Sequence, residues 1–485
     1  MIQERLLKMR YSQLLYGLLL VVGVGFLPAR AQTPDQTSTL QEIQELKRRL
    51  AELEARVNAQ NAAAQQTNVA PQSNRAAAAQ AAQNAATPQV ENLVPTPNNQ
   101  AGVTADTTGF RIRSNDGNFA LKIGADIQVD TRSFVGDGDA GTTDQILLRR
   151  VRPTFSGTVY KDIDFFFRPD FGQGTTIIYD AYTQFNYFKH AALRVGKFKP
   201  PVGLERLQSD DDTSFIERGL PTLLVPSRDI GFQFAGDILD QRIGYQIGVF
   251  NGVPDNGLSD ASPSSHRDYA GRIFLTPFLP DQNKYMQGLG LGLGAQGGNT
   301  DGIALPSYKT FGQNTFMTFA SGVTSAGHRT TLAPQAYYYT GAFGLLSEYT
   351  LSEEDFQKSN IRREIGFRAW QVEASYILTG ERKSFLTPTP NHNFDPLNHG
   401  WGAWELAIRT GDFSVDKGLF NYGLASTSNT PRTDREWVGS VNWYLNRLVK
   451  ISFDYGHSAF GGGAAGGLNK LPEQVLILRF QLNFI

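Results

Sequence analysis

Residues 148–159 read Leu-Arg-Arg-Val-Arg-Pro-Thr-Phe-Ser-Gly-Thr-Val, and the alternation in this stretch decides the fold. From Arg150 onward every second residue is polar, and the residues between them are mainly apolar. Successive side chains of a β-strand point to opposite faces, so the stretch predicts a strand with one charged face and one apolar face. The polar parity contains Arg150, Arg152, Thr154, Ser156 and Thr158, and the apolar parity contains Val151, Pro153, Phe155 and Val159.

The same sorting recurs in short segments from Phe110 to the end of the chain. Inside lipid every backbone N–H and C=O needs a partner within the protein, and a closed antiparallel barrel meets this demand with strands of roughly 10 residues. We therefore predict an all-β transmembrane barrel of about 16 antiparallel strands. Further apolar faces are formed by Ile243, Tyr245, Ile247 and Val249, by Trp404, Leu406 and Ile408, by Val449, Ile451, Phe453 and Tyr455, and by Leu476, Leu478, Phe480, Leu482 and Phe484.

A soluble β-sandwich is the alternative fold, because its strands alternate in the same way. The barrel is favoured by an apolar parity that continues to Phe484, by Tyr and Trp near segment ends, and by long polar stretches that alternate with tight turns. We interpret three of the long stretches, residues 255–268, 388–400 and 461–470, as loops on the outer side of the membrane.

Composition excludes several classes of protein and of site. The formal net charge is −1. The chain therefore lacks the overall basicity of a nucleic-acid binder, and no nucleic-acid partner is predicted. The chain has no cysteine, which excludes disulfides, thiolate metal sites and thiol catalysis. Only three aromatic residues precede Phe110, so we expect the packed or lipid-embedded domain to span residues 108–485.

The N-terminal residues 1–31 have the pattern of a secretory signal peptide. Arg5, Lys8 and Arg10 precede an uncharged stretch, and Ala29-Arg30-Ala31 offers the small residues of a cleavage site. An uncleaved membrane helix is the alternative, although the apolar run is short for one. Export from the cytoplasm is the stronger prediction.

Two further segments precede the predicted barrel. Residues 32–57 are predicted to contain a short coiled coil, since Ile43, Leu50 and Val57 fall at a and Leu46 and Leu53 at d. A lone amphipathic helix is the alternative, but so few turns without a partner are marginal in water. Residues 58–107 are rich in Ala, Gln, Asn and Pro and contain no aromatic residue, so we predict a flexible linker.

Arginine residues on the polar parity suggest a path for anions. A guanidinium stays charged and offers several donors to oxyanion oxygens, and residues i and i+2 of a strand lie about 6.6 Å apart on one face. The alternative is that these arginines pair with nearby acids and brace the wall, since residues 147–242 contain 13 Lys and Arg against 12 Asp and Glu. The candidate anion path consists of Arg150, Arg152, Arg168, Arg194, Arg242 and Arg272.

The segment 207–230 is long enough to fold into the lumen and narrow it. Acids on one side and bases on the other would then give a transverse field, whereas a solvated outer loop is the alternative. Three consecutive aspartates could bind a divalent ion, but they lack calcium-loop spacing, so no metal site is predicted. The charged residues of this candidate constriction loop are Asp210, Asp211, Asp212, Glu217, Arg218 and Arg228.

No catalytic constellation is apparent in the sequence. A phosphate-binding loop, a nucleophile elbow and an H-E-x-x-H pair are all absent. His392 and His399 fall in one polar stretch and suit a hydrated loop. We therefore predict that the protein is not an enzyme and uses no cofactor.

Two stretches of the predicted barrel resemble the phosphate-selective porin O and P family. One is residues 149–171, RRVRPTFSGTVYKDIDFFFRPDF, and the other is residues 193–205, LRVGKFKPPVGLE, followed by Phe215-Ile216-Glu217-Arg218 and Pro226-Ser227-Arg228-Asp229-Ile230-Gly231. The resemblance implies a trimer of 16-stranded barrels with an arginine ladder in the lumen and a lysine-lined constriction for phosphate or other anions. This chain departs from the usual terminal Phe, because Ile485 follows Phe484.

These observations together predict a passive porin of the Gram-negative outer membrane that favours small anions, with phosphate as a candidate solute. We expect a homotrimer surrounded by outer-membrane lipid, with the coiled coil in the periplasm, where it could contact the cell wall. One alternative is a general porin without anion selectivity. Another is an envelope tether that acts through the coiled coil.

Overall fold

A computed structural model describes residues 102–106, 109–136, 142–261, 264–279, 285–301 and 303–484. The predicted signal peptide, the predicted coiled coil and the predicted linker up to residue 101 lie outside these described residues, and those three assignments stay predictions. No helix within the described ranges is long and apolar enough to cross a bilayer.

Sixteen antiparallel strands form a closed barrel, as the alternation predicts. Each strand pairs with its neighbour in the chain, and the last strand pairs with the first, for example Gln481 with Gln128, so the sheet has no open edge. The barrel strands are β3 (Phe119–Phe134), β4 (Gln145–Val159), β5 (Ile163–Asp170), β6 (Ile177–Phe188), β7 (Ala191–Phe198), β8 (Asp229–Ile238), β9 (Ile243–Phe250), β10 (Asp268–Leu275), β11 (Leu289–Asn299), β14 (Val323–Thr340), β15 (Phe343–Lys358), β16 (Ile361–Ile377), β17 (Ala403–Val415), β18 (Pro431–Tyr444), β19 (Val449–Gly462) and β20 (Glu473–Phe484).

A short hairpin precedes the barrel and extends its wall beyond the C-terminal end of β20. Its strands are β1 (Gly102–Asp106) and β2 (Gly109–Arg113), and β2 pairs with β3 from Ala120 to Ile123. The ring of Phe110 meets that of Phe484 edge-on at 6.0 Å. Because β1 lies before residue 108, regular structure begins inside the stretch that was predicted to be linker.

The two parities of the strands divide between lipid and lumen as predicted. On β17, Leu406 and Ile408 are exposed on the outer face, whereas Glu405 and Arg409 are buried inside. On β4, Arg150 and Arg152 are buried while Phe155 is exposed. The outer face therefore offers apolar side chains to acyl chains, and the charged side chains meet one another within the barrel.

The loops fall at two ends of the barrel, and one of the three long stretches is at the other end from that predicted. We call the end that holds Phe484 the lower end and the opposite end the upper end. Residues 251–267 and 463–472 connect strands at the upper end, but residues 378–402 connect β16 to β17 at the lower end. The prediction of residues 388–400 as an outer loop was wrong, because polarity and length do not record the direction of the preceding strand.

Three connections fold into the lumen. Residues 199–228 contain helix α1 (Leu204–Leu207) and a 3-10 turn at Leu220–Leu224, residues 300–322 contain the small strands β12 (Tyr308–Lys309) and β13 (Thr315–Met317), and residues 378–402 rise from the lower end. A second helix, α2 (Gly418–Asn421), caps the upper end between β17 and β18.

The apolar core lies inside the barrel, against one part of its wall. Inward rings of β15, β16, β17 and β19 pack with apolar residues of the inward connections, and each such side chain stabilises the packing by about 1.5–3 kcal/mol. This core occupies the upper lumen beside β14–β19. Open space remains along β3–β10 and, toward the lower end, in a cavity of about 780 Å³ beside residues 381–391 and 447–448. Its larger members are Leu220, Leu224, Tyr308, Phe316, Phe356, Phe367, Phe413 and Phe460.

Candidate pore lining

Two β-bulges place extra side chains in the lumen that simple alternation assigns elsewhere. On β4 the pairing with β3 shifts between Gln128 and Val129, which leaves Arg149 unpaired and directs it inward beside Arg150. On β6 the pairing shifts between Ile178 and Asp180, so that Tyr179 is buried together with Asp180. Bulges re-aim side chains in this way at the rims of barrels.

The predicted constriction segment lies inside the barrel and is bonded to the far wall. The Ile216 amide donates to Asp454 at 2.8 Å, and Ser440 donates to the Ser214 carbonyl at 2.9 Å. Arg409 donates to the Glu217 carbonyl at 3.0 Å. We call residues 199–228 the inward loop, and its contacts extend across the lumen from β4 to β18 and β19.

Asp210 of the inward loop meets three arginines. Its carboxylate lies 2.5 Å from Arg152 and 3.4 Å from Arg150, and it also pairs with Arg218. Burial alone would raise the pKa of Asp210, but these guanidinium groups hold it well below its usual range. Asp210 therefore stays ionised and neutralises part of the charge of the predicted ladder.

Glu217 forms a second ionic cluster on the same loop. Arg132 and Arg149 each approach its carboxylate at 2.7 Å, and Arg479 lies 3.5 Å away. Burial opposes ionisation, but Arg149 and Arg132 keep the pKa of Glu217 well below its usual range. Asp130 of β3 accepts from Arg479 of β20 at 2.6 Å, so Arg479 links Glu217 of the loop to both strands.

The other two aspartates of the triplet have separate partners. Asp211 accepts from Gln128 at 3.3 Å, and Asp212 accepts from the amide and hydroxyl of Thr387 at 2.7 and 2.8 Å. Thr387 belongs to the inward connection from the lower end, so this connection supports the inward loop from below. Among the described residues, no group of His, Cys, Asp and Glu has a metal-binding arrangement.

Tyr179 lies between two guanidinium groups where the inward loop meets the wall. The Arg152 and Arg228 carbons each lie 3.7 Å from its ring centroid, and its hydroxyl is 3.5 Å from Asp210. Arg228 also pairs with Asp180 at 3.3 Å. One predicted path residue, Arg152, and two predicted loop residues, Asp210 and Arg228, are thus held in a stacked, ion-paired cluster.

Above this cluster is an upper chamber of about 450 Å³ with nearly balanced charge. Most of its arginines are those paired with Asp210 and Glu217. The cations that line it are Arg149, Arg150, Arg152, Arg206, Arg218 and Lys309, and the acids are Asp170, Asp210, Glu217, Asp255 and Glu436.

Below the cluster is a lower chamber in which cations dominate. It consists of two adjoining cavities of about 320 and 640 Å³ that share Phe166, Tyr182 and Arg194. Burial and the neighbouring Arg228 lower the pKa of Lys199 well below its usual range. Its Nζ donates to the Leu207 and Gln208 carbonyls, so we count it apart from the cations that face the lumen. The cations of the lower chamber are Arg111, Arg113, Lys122, Lys161, Arg168, Arg194, Arg228 and Arg272, and the acids are Asp116, Asp164 and Asp180.

Three arginines of the lower chamber are tethered by neutral groups. The Nε of Arg168 donates to Thr154 at 3.1 Å, that of Arg194 donates to Gln184 at 3.0 Å, and that of Arg272 donates to Gln335 at 2.8 Å. No carboxylate in the described ranges lies within 4.0 Å of these three guanidinium groups. Their charge is consequently not cancelled by an ion pair.

Arg242 lies apart from the other predicted path residues. It is exposed in the turn between β8 and β9 at the lower end, where its amide donates to the Leu239 carbonyl at 3.2 Å. The prediction that Arg242 continues the polar parity of a strand was wrong, because β9 begins at Ile243. The remaining five path residues are divided, with Arg150 and Arg152 in the upper chamber and Arg168, Arg194 and Arg272 in the lower chamber.

Comparisons with known proteins agree on one type of molecule. The family model described as phosphate-selective porin O and P matches residues 121–484. Porin O of Pseudomonas aeruginosa is 23% identical over 376 residues, which cover 72% of this chain and 84% of that protein. The outer membrane channel DcaP of Acinetobacter baumannii has a similar fold, with a TM-score of 0.52 and 10% identity over 77% of this chain and 99% of that chain.

Proposed function

Because this chain belongs to the phosphate-selective porin O and P family and is an outer-membrane channel of the Gram-negative envelope, we propose that it passes small anions, including phosphate. The observation that carries the proposal is the lower chamber, whose eight cations face three acids. Low-dielectric walls focus such a field and raise the local concentration of anions.

The three tethered arginines supply the selectivity in this proposal. Arg168, Arg194 and Arg272 hold their charge in the lumen, and neutral acceptors fix their orientation. Guanidinium groups replace part of the hydration of an anion, and several groups along one wall allow stepwise transfer without a deep trap. The inward loop would act as the constriction, since it crosses the lumen between the two chambers.

The test is the reversal potential of single channels in a potassium chloride gradient. The wild-type channel is expected to prefer chloride, and the triple variant Arg168→Gln, Arg194→Gln and Arg272→Gln to lose most of that preference. A matched control removes three charges outside the lumen, with Arg242→Gln, Arg362→Gln and Arg435→Gln. Equal effects of the two triple variants would contradict the proposal.

A general porin is the second candidate, and one observation favours it. The upper chamber has six cations and five acids, and its arginines are bonded to carboxylates of the inward loop. If this chamber limits flow, the channel would discriminate by size rather than by charge. A reversal potential near zero in the wild type would favour this reading.

We also propose that the channel works as a homotrimer with residues 32–57 as a periplasmic coiled coil. The heptad pattern of Ile43, Leu46, Leu50, Leu53 and Val57 supports association of several chains. Mass measurement of the detergent-extracted complex, with and without residues 32–57, tests the number of chains and the part played by this segment.

A further inference from the structure

We propose that the lower chamber favours carboxylates attached to an aromatic ring, which rests on the proposed anion channel and narrows its solute. Four features of the chamber carry this inference: a stack of rings and guanidinium groups, forked donors without an acceptor among the described residues, a lysine occupied elsewhere, and a suitable volume.

The wall of the chamber alternates aromatic rings with guanidinium groups. Arg168 lies 4.9 Å from the ring centroid of Phe166, and Phe166 stacks on Tyr182 at 5.3 Å with an angle of 11° between the rings. Arg194 lies 4.4 Å from the Tyr182 ring and 5.4 Å from the Phe198 ring. An aromatic solute could extend this alternation, because its ring can stack on a guanidinium or on another ring.

The guanidinium groups have donors left for a ligand. The Nε atoms of Arg168 and Arg272 are held by Thr154 and Gln335, while their terminal nitrogens donate no hydrogen bond to the described residues. Two parallel N–H groups of one guanidinium match the two oxygens of a carboxylate. The ring-backed arginines therefore offer a planar fork with an apolar surface beside it.

The chamber is less suited to surrounding a phosphate. A phosphate distributes its charge over four oxygens and needs donors on all sides, whereas these forks are planar and lie against rings. Lys199, which also lines the smaller cavity, donates instead to the carbonyls of Leu207 and Gln208 at 3.3 and 2.6 Å. Phe166, Tyr182, Phe198 and Leu207 also line this cavity, so a ligand would meet rings and an aliphatic group beside the donors.

The smaller cavity has a volume that fits a single-ring solute. Its 320 Å³ lies near the lower limit of about 300 Å³ that is typical of small-molecule sites. The larger cavity of 640 Å³ adjoins it, so a solute of this size has space to leave toward the lower end.

The experiment measures block of the chloride current by benzoate, acetate and phosphate in planar bilayers. We expect benzoate to reach half-block at a concentration at least tenfold below that of acetate and also below that of phosphate. The double variant Phe166→Leu and Tyr182→Leu should bring benzoate close to acetate. Tyr182→Phe, which keeps the ring, should retain strong block by benzoate.

The matched control is Phe155→Leu with Phe167→Leu, because these two rings stack on the lipid side of neighbouring strands. This control should leave block by benzoate unchanged. Equal block by benzoate and acetate, or stronger block by phosphate, in a channel that still prefers anions would overturn this inference and leave the proposed function intact. A channel that prefers cations would overturn both.

Discussion

At the residue scale, the central feature is that arginines of similar sequence context have different charge environments. Arg150 and Arg152 contact Asp210, whereas Arg168, Arg194 and Arg272 are held by hydroxyl and amide oxygens. Structural pairing therefore holds for Arg150 and Arg152, whereas Arg168, Arg194 and Arg272 are the arginines of the proposed anion path.

We expect the charge of Asp210 to affect the ion selectivity of the channel more than any other single charge of the inward loop. Asp210→Asn removes one negative charge beside Arg150, Arg152 and Arg218, so we expect a larger anion preference in reversal-potential measurements. We also expect the free energy of unfolding to fall by about 3 kcal/mol, because buried guanidinium groups lose their counter-ion. Urea unfolding followed by the heat-modifiable mobility of the barrel measures this loss.

Asp212→Asn is the matched control, since Asp212 contacts Thr387 rather than an arginine. The lowered pKa of Asp210 means that its contribution to stability is present above its ordinary pKa and is lost only as the pH falls through the lowered value. Wild-type protein at pH 5 should therefore not imitate Asp210→Asn. Equal shifts in selectivity from the two substitutions would contradict this account.

At the element scale, the lumen is shaped by connections that pack against glycine positions. Phe311 of the connection 300–322 lies over Gly456 of β19, where an added Cβ would come within 2.4 Å of the ring. Phe311 also packs with Phe215 and Ile216 of the inward loop. A single methyl group at residue 456 should therefore disturb both connections.

Gly456→Ala is expected to displace Phe311, to lower the free energy of unfolding by about 1–3 kcal/mol and to raise the single-channel conductance. Gly439→Ala on the neighbouring strand β18 is the control, because no atom lies within 4 Å of its added Cβ. The single-channel conductances of the two variants, measured in the same salt, test this prediction. An unchanged conductance in Gly456→Ala would show that this connection does not narrow the path.

The regularity of each strand determines which residues of the site could be predicted from the sequence. Alternation placed Arg150 and Arg152 on the polar parity and inside the barrel, as the structure has them. It missed Arg149 and Tyr179, because a bulge shifts parity by one residue and leaves no mark in the local pattern. It also assigned Arg242 to a strand, since the sequence does not fix where a turn ends.

At the scale of the whole molecule, the barrel could be predicted because lipid demands a closed sheet with an apolar outer face. The uneven lumen could not be predicted, since it depends on contacts between distant residues such as Leu224 and Phe356 in the apolar core. Strand order also decided which end holds residues 378–402, and their polarity alone gave the wrong end. Position in the fold, rather than composition, decides which arginines keep an uncancelled charge.

We expect the barrel to conduct ions independently of the residues that precede it. Deletion of residues 32–100 keeps β1 and removes the predicted coiled coil and most of the linker. We expect the conductance and ion preference of each channel to remain those of the full chain, because both chambers are lined by residues after 110. Bilayer recordings of the two proteins provide the comparison, and a changed ion preference would place part of the selectivity before the barrel.

The central claim is that anions pass along the lower chamber on the β3–β10 side, while the opposite wall is covered by the inward loop. The chain has no cysteine, so single cysteines can report access to each wall. Ser156 lines the lower chamber, and Ser440 lies on β18, where its hydroxyl donates to the inward loop. The two test variants are Ser156→Cys and Ser440→Cys.

The most direct measurement is the rate at which charged thiol reagents of equal size modify these two cysteines in open channels. We predict that the cysteine at 156 reacts quickly, and faster with the anionic reagent than with the cationic one, while the cysteine at 440 stays unmodified. Faster reaction with the cationic reagent at 156, or equal reaction at 156 and 440, would contradict it.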